Sequence, residues 1–314
     1  MFNYPLLNLL LYFNLIVNLK AFNLTSKNNL VAYWGQNSYG NSEEAHKDSH
    51  ERPMSDYCKD QTYDTIVISF LIKFNAEIKN GHPVLNMGKH CSKKFPNSLH
   101  PYCPEVAAGI KYCQNQGKKV LLSMGGYAGD YTLKDDESAK NFAQRVWDLY
   151  LGGKTDHRPF GEVALDGIDL DIEKGPPESY AVFSNKLKEI IDGQKEENKK
   201  EYFITAAPQC PFPDQYLKNV LEHGWLDAVF VQFYNNECAI GKDGFNFATW
   251  DGWARFASKN KNVKIFLGAP GGPTAASSGY LNFQELEPII NEVKEKYPSF
   301  GGVMLWDISQ ADQN

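Results

Sequence analysis

The 314-residue sequence predicts a closed (β/α)8 barrel, and three observations carry that reading. Eight β-rich runs recur along the chain, and segments with helical apolar spacing separate most of them. Acids, amides and aromatic residues collect where those runs end. Strands that alternate with helices pair in parallel through crossovers. Eight such units in one chain close into a barrel rather than an open sheet.

The first run covers 30–33 and leads into Trp34, Gly35 and Gln36. The second, 65–71, is rich in β-branched residues, which suit a pleated surface. After it, 74–102 is rich in Gly, Pro and Asn, as expected of a long irregular loop at the functional end. The third run, 119–123, ends at Gly125-Gly126. Ala139, Phe142, Ala143, Val146, Trp147 and Tyr150 then repeat at helical spacing. The fourth run, 163–173, is followed by Tyr180, Phe183, Leu187, Ile190 and Ile191, again helical, with Pro176 and Pro177 where that helix would start. Runs at 203–207, 228–234, 264–267 and 302–306 complete the set. Only eight residues follow Trp306, so the last helix is expected to be short or missing.

A 42% hydrophobic and 13% aromatic composition supplies a sizeable core. A net charge of −6 without a long basic run argues against nucleic acid as a partner. Residues 1–21 read as a signal peptide with an apolar centre over 6–19, and 28–314 as one catalytic barrel domain. A membrane anchor is the alternative, but the stretch is short and broken by Asn. The chain is expected to be secreted, extracellular or wall-associated, without stable membrane insertion. Six cysteines, Cys58, Cys91, Cys103, Cys113, Cys210 and Cys238, contain no CxxC pair. In a secreted chain that reads as three disulfides; zinc ligation is the alternative that the wide spacing disfavours. Asn23-Leu24-Thr25 is an N-glycosylation sequon.

The segment Asp166-Gly167-Ile168-Asp169-Leu170-Asp171-Ile172-Glu173 carries the chemistry. Side chains alternate along a strand, so Asp169, Asp171 and Glu173 share one face and the apolar residues the other. Buried, crowded carboxylates raise one another's pKa, and an acid that keeps its proton near neutral pH can protonate a leaving group. Asp171 and Glu173 are roughly 7 Å apart by strand rise, and their carboxyls can approach closely. A solvated edge strand is the bland alternative. A hard-cation site is another, but the motif lacks the further ligands it would need.

These motifs, with Ala32-Tyr33-Trp34-Gly35-Gln36-Asn37, Leu122-Ser123-Met124-Gly125-Gly126, Thr205 through Pro213, Val231 through Asn236 and Gly302 through Trp306, resemble the class III chitinases of glycoside hydrolase family 18, the plant and fungal type. The likeness runs from about residue 30 to 306. It implies a TIM barrel that hydrolyses the β-1,4 links of chitin internally, with retention and without cofactor or metal. By the same resemblance, Glu173 is the general acid/base and Asp171 holds the substrate acetamido group. Asp169 is the buried acid beneath, sharing a proton with Asp171, and Tyr234 donates to the acetamido carbonyl. Tyr33, Gln36, Asn86, Gly126, Gln232, Asn235 and Trp306 are the implied sugar contacts, with Trp306 as floor. The implied disulfides are Cys58–Cys113, Cys91–Cys103 and Cys210–Cys238. The implied partner is chitin or a chito-oligosaccharide, bound by a monomer. Peptidoglycan cleavage is the alternative activity, and a catalytically dead binding or inhibitor protein the alternative class. Tyr127 departs from the small residue often found after the Gly-Gly pair.

Overall fold

The computed structural model describes residues 22–42, 50–75, 81–98, 100–194 and 200–314. The expected signal peptide, 1–21, lies outside the described residues. Among the described residues nine strands occur: β1 (Asn29–Trp34), β2 (Thr65–Lys73), β3 (Val84–Leu85), β4 (Lys119–Gly125), β5 (Gly167–Asp171), β6 (Phe203–Ala206), β7 (Ala228–Gln232), β8 (Lys264–Pro270) and β9 (Phe300–Trp306). Their order is β1-β9-β8-β7-β6-β5-β4-β2-β3, and a β1–β2 pairing closes the ring. All pairs are parallel except β2–β3, which folds the start of the long loop back as a ribbon. The eight long strands form the expected (β/α)8 barrel. The ribbon is new, because a two-residue strand leaves no periodicity to read.

Alternation sorts two cores. Val31, Tyr33, Val67, Leu121, Phe203, Phe230, Phe266 and Met304 fill the barrel interior. Ala32, Trp34, Ile66, Ile68, Leu122, Ile168, Leu170 and Val229 face the outer layer of helices. Phe22 closes the base of the interior, edge-on to Phe203 with ring centroids 5.2 Å apart.

The helices are α1 (Met54–Tyr57), α2 (Pro104–Asn115), α3 (Asp136–Tyr150), α4 (Tyr180–Gly193), α5 (Lys218–His223), α6 (Phe247–Gly252), α7 (Phe283–Lys296) and α8 (Ile308–Ala311). Pro104 opens α2, where a missing N–H costs nothing. In α3, Asp135 accepts from the Ser138 N–H at 2.8 Å and Ser138 answers with its hydroxyl, a capping box. The six apolar positions that predicted α3 are all buried. Pro176 and Pro177 precede α4 rather than begin it; Ser179, in the left-handed region, makes the entry. The last helix, α8, is a single four-residue turn capped by Asp307.

Three disulfides pin the loops: Cys58–Cys113, Cys91–Cys103 and Cys210–Cys238. Cys58–Cys113 joins the end of α1 to α2 across 55 residues, and Cys91–Cys103 ties the long loop to the start of α2. Loss of a native bridge costs roughly 2–5 kcal/mol. Reduction is therefore expected to lower the unfolding temperature sharply. Thiol titration of unreduced, denatured protein should find no reactive cysteine; a reactive thiol there would contradict this pairing.

Candidate active site

The acidic segment enters the barrel on β5. Ile168 and Leu170 pack outward, so Asp169 and Asp171 point inward. The strand ends at Asp171, two residues earlier than the alternation suggested. Its neighbour β4 stops at Gly125, which is paired with Asp171. Beyond that point the ladder offers no partner, and the Glu173 N–H donates to Tyr131 Oη at 2.9 Å instead. Gly125 has φ +119°, and a Cβ there would sit 2.1 Å from the Asp171 carbonyl oxygen. Only glycine permits that approach, which brings the cleft wall against the acids. Next to it, the Gly126 N–H donates to the Asp171 carbonyl at 2.8 Å.

Asp169 is fully buried. The hydroxyls of Tyr33, Ser123 and Thr205 each donate to it at 2.7 Å. Burial raises its pKa, and the three hydroxyls hold it down in part. Above it, Asp171 accepts from Gln232 Nε2 at 2.9 Å and shares a hydrogen bond with the Glu173 carboxyl. Burial pushes Asp171 well above the ordinary carboxylate range, and the Glu173 and Asp169 charges push further. Glu173 is raised as well, first by burial and then by the Asp214 charge, against the bond from Asp171. Two carboxyls in hydrogen-bond contact hold one proton between them. Both Asp169 oxygens accept from hydroxyls, while Asp171 feels the charges of Glu173 and Asp169 on either side.

The cleft above these acids has a volume of about 290 Å³. Asp171, Glu173, Tyr234, Gln36, Asn86, Gly126, Gln232, Asn235 and Trp306 all line it. Trp306 stacks on Phe70 at 5.7 Å and meets Tyr33 edge-on at 5.6 Å. Tyr234 is buried at the side wall, and burial together with the charges of Asp171 and Glu173 holds its hydroxyl protonated as a donor.

Some expected sugar contacts have other partners. Tyr33 does not reach the cleft: it is 2% exposed, lies beneath Trp306, and spends its hydroxyl on Asp169. It ends inside the barrel because alternation on β1 sends Val31 and Tyr33 inward together. Gln36 Nε2 donates to the carbonyls of Ser69 and Asn86 at 2.8 and 2.9 Å, stitching the β1 and β2 loops. Asn235, with φ +60°, accepts at Oδ1 from Ser277 N and Oγ and from Ser278 N, so it pins the loop between β8 and α7. That loop brings Ala275 to the cleft.

Phe70, Ile72, Ala275, Tyr131 and Asp214 escaped the sequence reading. Phe70 had a faint signal, since it lies toward the C-terminal end of an apolar strand. Asp214 had none; it sits in the loop before α5 and accepts from three backbone N–H groups. Among the described residues, no group of three or more His, Cys, Asp or Glu side chains is arranged to hold a metal ion.

The acid array gives a stability signature. Asp169, Asp171, Glu173, Asp214 and Asp307 are all raised chiefly by burial. The folded state therefore binds more protons than the unfolded chain once pH passes the ordinary carboxyl range near about 4. Stability contributed by these groups is complete below that range and is lost as pH rises through the folded values. The unfolding temperature is expected to be higher at about pH 5 than at pH 8, and Glu173→Gln should flatten the fall. A wild-type protein that gains stability steadily across that window would contradict it.

Residues 29–276 match the family model described as glycosyl hydrolases family 18. The chain belongs to glycosyl hydrolases family 18. Among curated family members, chitinase 1 of Rhizopus niveus is 44% identical over 288 residues, covering 91% of this chain and 55% of that protein. The endochitinase of Saccharomyces cerevisiae is 39% identical over 302 residues, covering 96% of this chain and 50% of its own. The chain thus spans about half the length of these relatives. Of solved structures, the Ipomoea carnea chitinase superposes with a TM-score of 0.74 at 32% identity, covering 91% of this chain and 96% of that one. A xylanase and α-amylase inhibitor protein from Scadoxus multiflorus superposes with a TM-score of 0.72 at 32% identity, covering 91% and 94%. Family 18 membership therefore fixes the barrel, while the acids of this particular cleft must carry any argument about activity.

Proposed function

We propose that residues 28–314 form the catalytic domain of a secreted endochitinase that cleaves β-1,4 links between N-acetylglucosamine units with retention. One observation carries this reading. Asp171 and Glu173, two neighbouring carboxyls both raised above the ordinary carboxylate range chiefly by burial, line one cleft with Trp306 and Tyr234. An inhibitor or lectin needs the cleft but has no use for a half-buried acid with a raised pKa poised in it. The chitinase names of its relatives agree with this assignment.

The chemistry follows from the array. A pyranose ring stacks on Trp306, and its acetamido carbonyl accepts from Tyr234. The acetamido N–H donates to Asp171, and a hydrogen bond to the charged form favours that form. Asp171 then becomes the carboxylate, and the shared proton stays on Glu173. Glu173 passes it to the glycosidic oxygen as the acetamido oxygen attacks C1 from the opposite face, and the C1–glycosidic oxygen bond breaks to release the leaving sugar as an alcohol. Asp171 offsets the positive charge that develops on the resulting oxazolinium ring. Water activated by Glu173 opens that ring and restores the original anomer. The acid–base steps need no cofactor.

Incubation of the purified chain with a chitin oligomer tests the reading. Release of shorter N-acetylglucosamine oligomers is expected. Tight binding without product over long incubation would overturn it in favour of a lectin or inhibitor.

A further inference from the structure

The Asn23-Leu24-Thr25 sequon stands next to a groove that the chitin reading does not use. We infer that Asn23 carries an N-linked glycan whose first two sugars lie in a groove at the base of the barrel, against Trp225. This rests on the secreted reading of the chain, since the transferring machinery acts in the secretory pathway.

The groove has a volume of about 760 Å³, larger than the active-site cleft. Leu24, Thr25, Trp225, Arg255, Asn262 and Lys264 are among its lining residues. Lys264 begins β8, and Asp227 and Ser299, which also line it, immediately precede β7 and β9. The groove therefore opens at the N-terminal ends of the strands, the end of the barrel opposite Glu173.

Asn23 and Thr25 are both exposed. The Thr25 N–H and hydroxyl each donate to Asn23 Oδ1 at 2.8 Å. These bonds hold the carboxamide against a lining residue of the groove and do not use Nδ2, the atom that would bear the sugar. The folded turn can thus keep a glycan attached without breaking either bond. In the transfer, Nδ2 bonds to C1 of a lipid-linked pyrophosphoryl oligosaccharide. The C1–oxygen bond to pyrophosphate breaks, and Nδ2 loses one proton. The first two sugars of such a glycan are β-1,4-linked N-acetylglucosamines, with an apolar ring face for an indole and hydroxyls for Asn262 and Arg255. Trp225 is fixed for that role: its Nε1 donates to Asp227 at 3.0 Å, and the Lys188 ammonium lies 4.5 Å over its ring.

The full chain, expressed with its own leader in a secreting eukaryotic host, provides the test. Its arrival in the medium reports the leader separately from the glycan. Intact mass and peptide mapping before and after treatment with a peptide-N-glycosidase should show a glycan on Asn23, with Asn23 converted to Asp on release. Asn23→Gln and Thr25→Val should both lose the mass increment, while chitin-oligomer cleavage stays unchanged. Removal of the glycan is expected to speed hydrogen exchange across 254–264. In Trp225→Ala the glycan remains, but that protection is lost. Secreted protein with unmodified Asn23 overturns the site, and a glycan whose removal leaves exchange across 254–264 unchanged overturns its place in the groove.

Discussion

Glu173→Gln is expected to lower turnover of a chitin oligomer by at least about a thousandfold while leaving oligomer binding intact. The amide keeps the size of the side chain and can still hydrogen-bond Asp171, but it has no proton of suitable acidity to give the leaving oxygen. The wild-type carboxyl is raised by burial and by the nearby Asp214 charge, which favours its protonated form. Removing that half-buried titratable group also lifts a folding penalty. The same variant should unfold at a higher temperature than wild type above about pH 7. This pairing separates a chemical defect from a folding defect: activity falls while stability rises. Calorimetric titration with a chitin tetramer, single-turnover rates and thermal unfolding would read the three effects. Turnover within a few fold of wild type would remove Glu173 from its role.

Much of this site is legible in the sequence because strand alternation is a local rule. Ile168 and Leu170 announce the outer face, and that alone turns Asp169 and Asp171 inward. The rule fails where the ladder is irregular. On β2 it would send Phe70 outward with Ile68, yet the register shifts between Ile68 and Leu71, and Phe70 turns inward to stack on Trp306. No pattern in the residues marks that shift. The rule also says which face a residue takes but not how deep it lies. Tyr33 and Trp306 both reach the inner side, and only the stacking of the two rings puts Tyr33 beneath and out of the cleft. Asp214 was invisible for a third reason: it belongs to a loop, and its pull on Glu173 depends on tertiary distance rather than on spacing along the chain.

Fully deacetylated chitosan is expected not to be cleaved at all, and β-linked chitin oligomers should yield the β-anomer first. Retention through an enzyme nucleophile needs a second carboxylate across the sugar, about 5–5.5 Å from the acid. Here Asp171 is hydrogen-bonded to Glu173, so both lie on the same side of the anomeric carbon. Among the described residues lining the cleft, these two are the only acids; the remaining positions are amides, glycines, alanines, aromatics and Ile72. Inversion would need a base on the far wall to activate water, and no carboxylate among these residues stands there. In the mechanism proposed above, the substrate's acetamido oxygen is the nucleophile. Held by Tyr234 and Asp171, it attacks intramolecularly, where effective concentrations reach roughly 10⁵ M or more. Family 18 is a recognised exception to the two-carboxylate scheme for this reason. A free amine in place of the acetamide lacks the attacking oxygen and, when protonated, opposes positive charge at C1. Asp171→Ala should therefore approach the defect of Glu173→Gln, because it loses the group that orients the acetamide and offsets its charge. Nuclear magnetic resonance of the first products distinguishes the anomers before they equilibrate. Appearance of the α-anomer first, or cleavage of chitosan free of acetyl groups at a rate near that of chitin, would exclude the acetamido route.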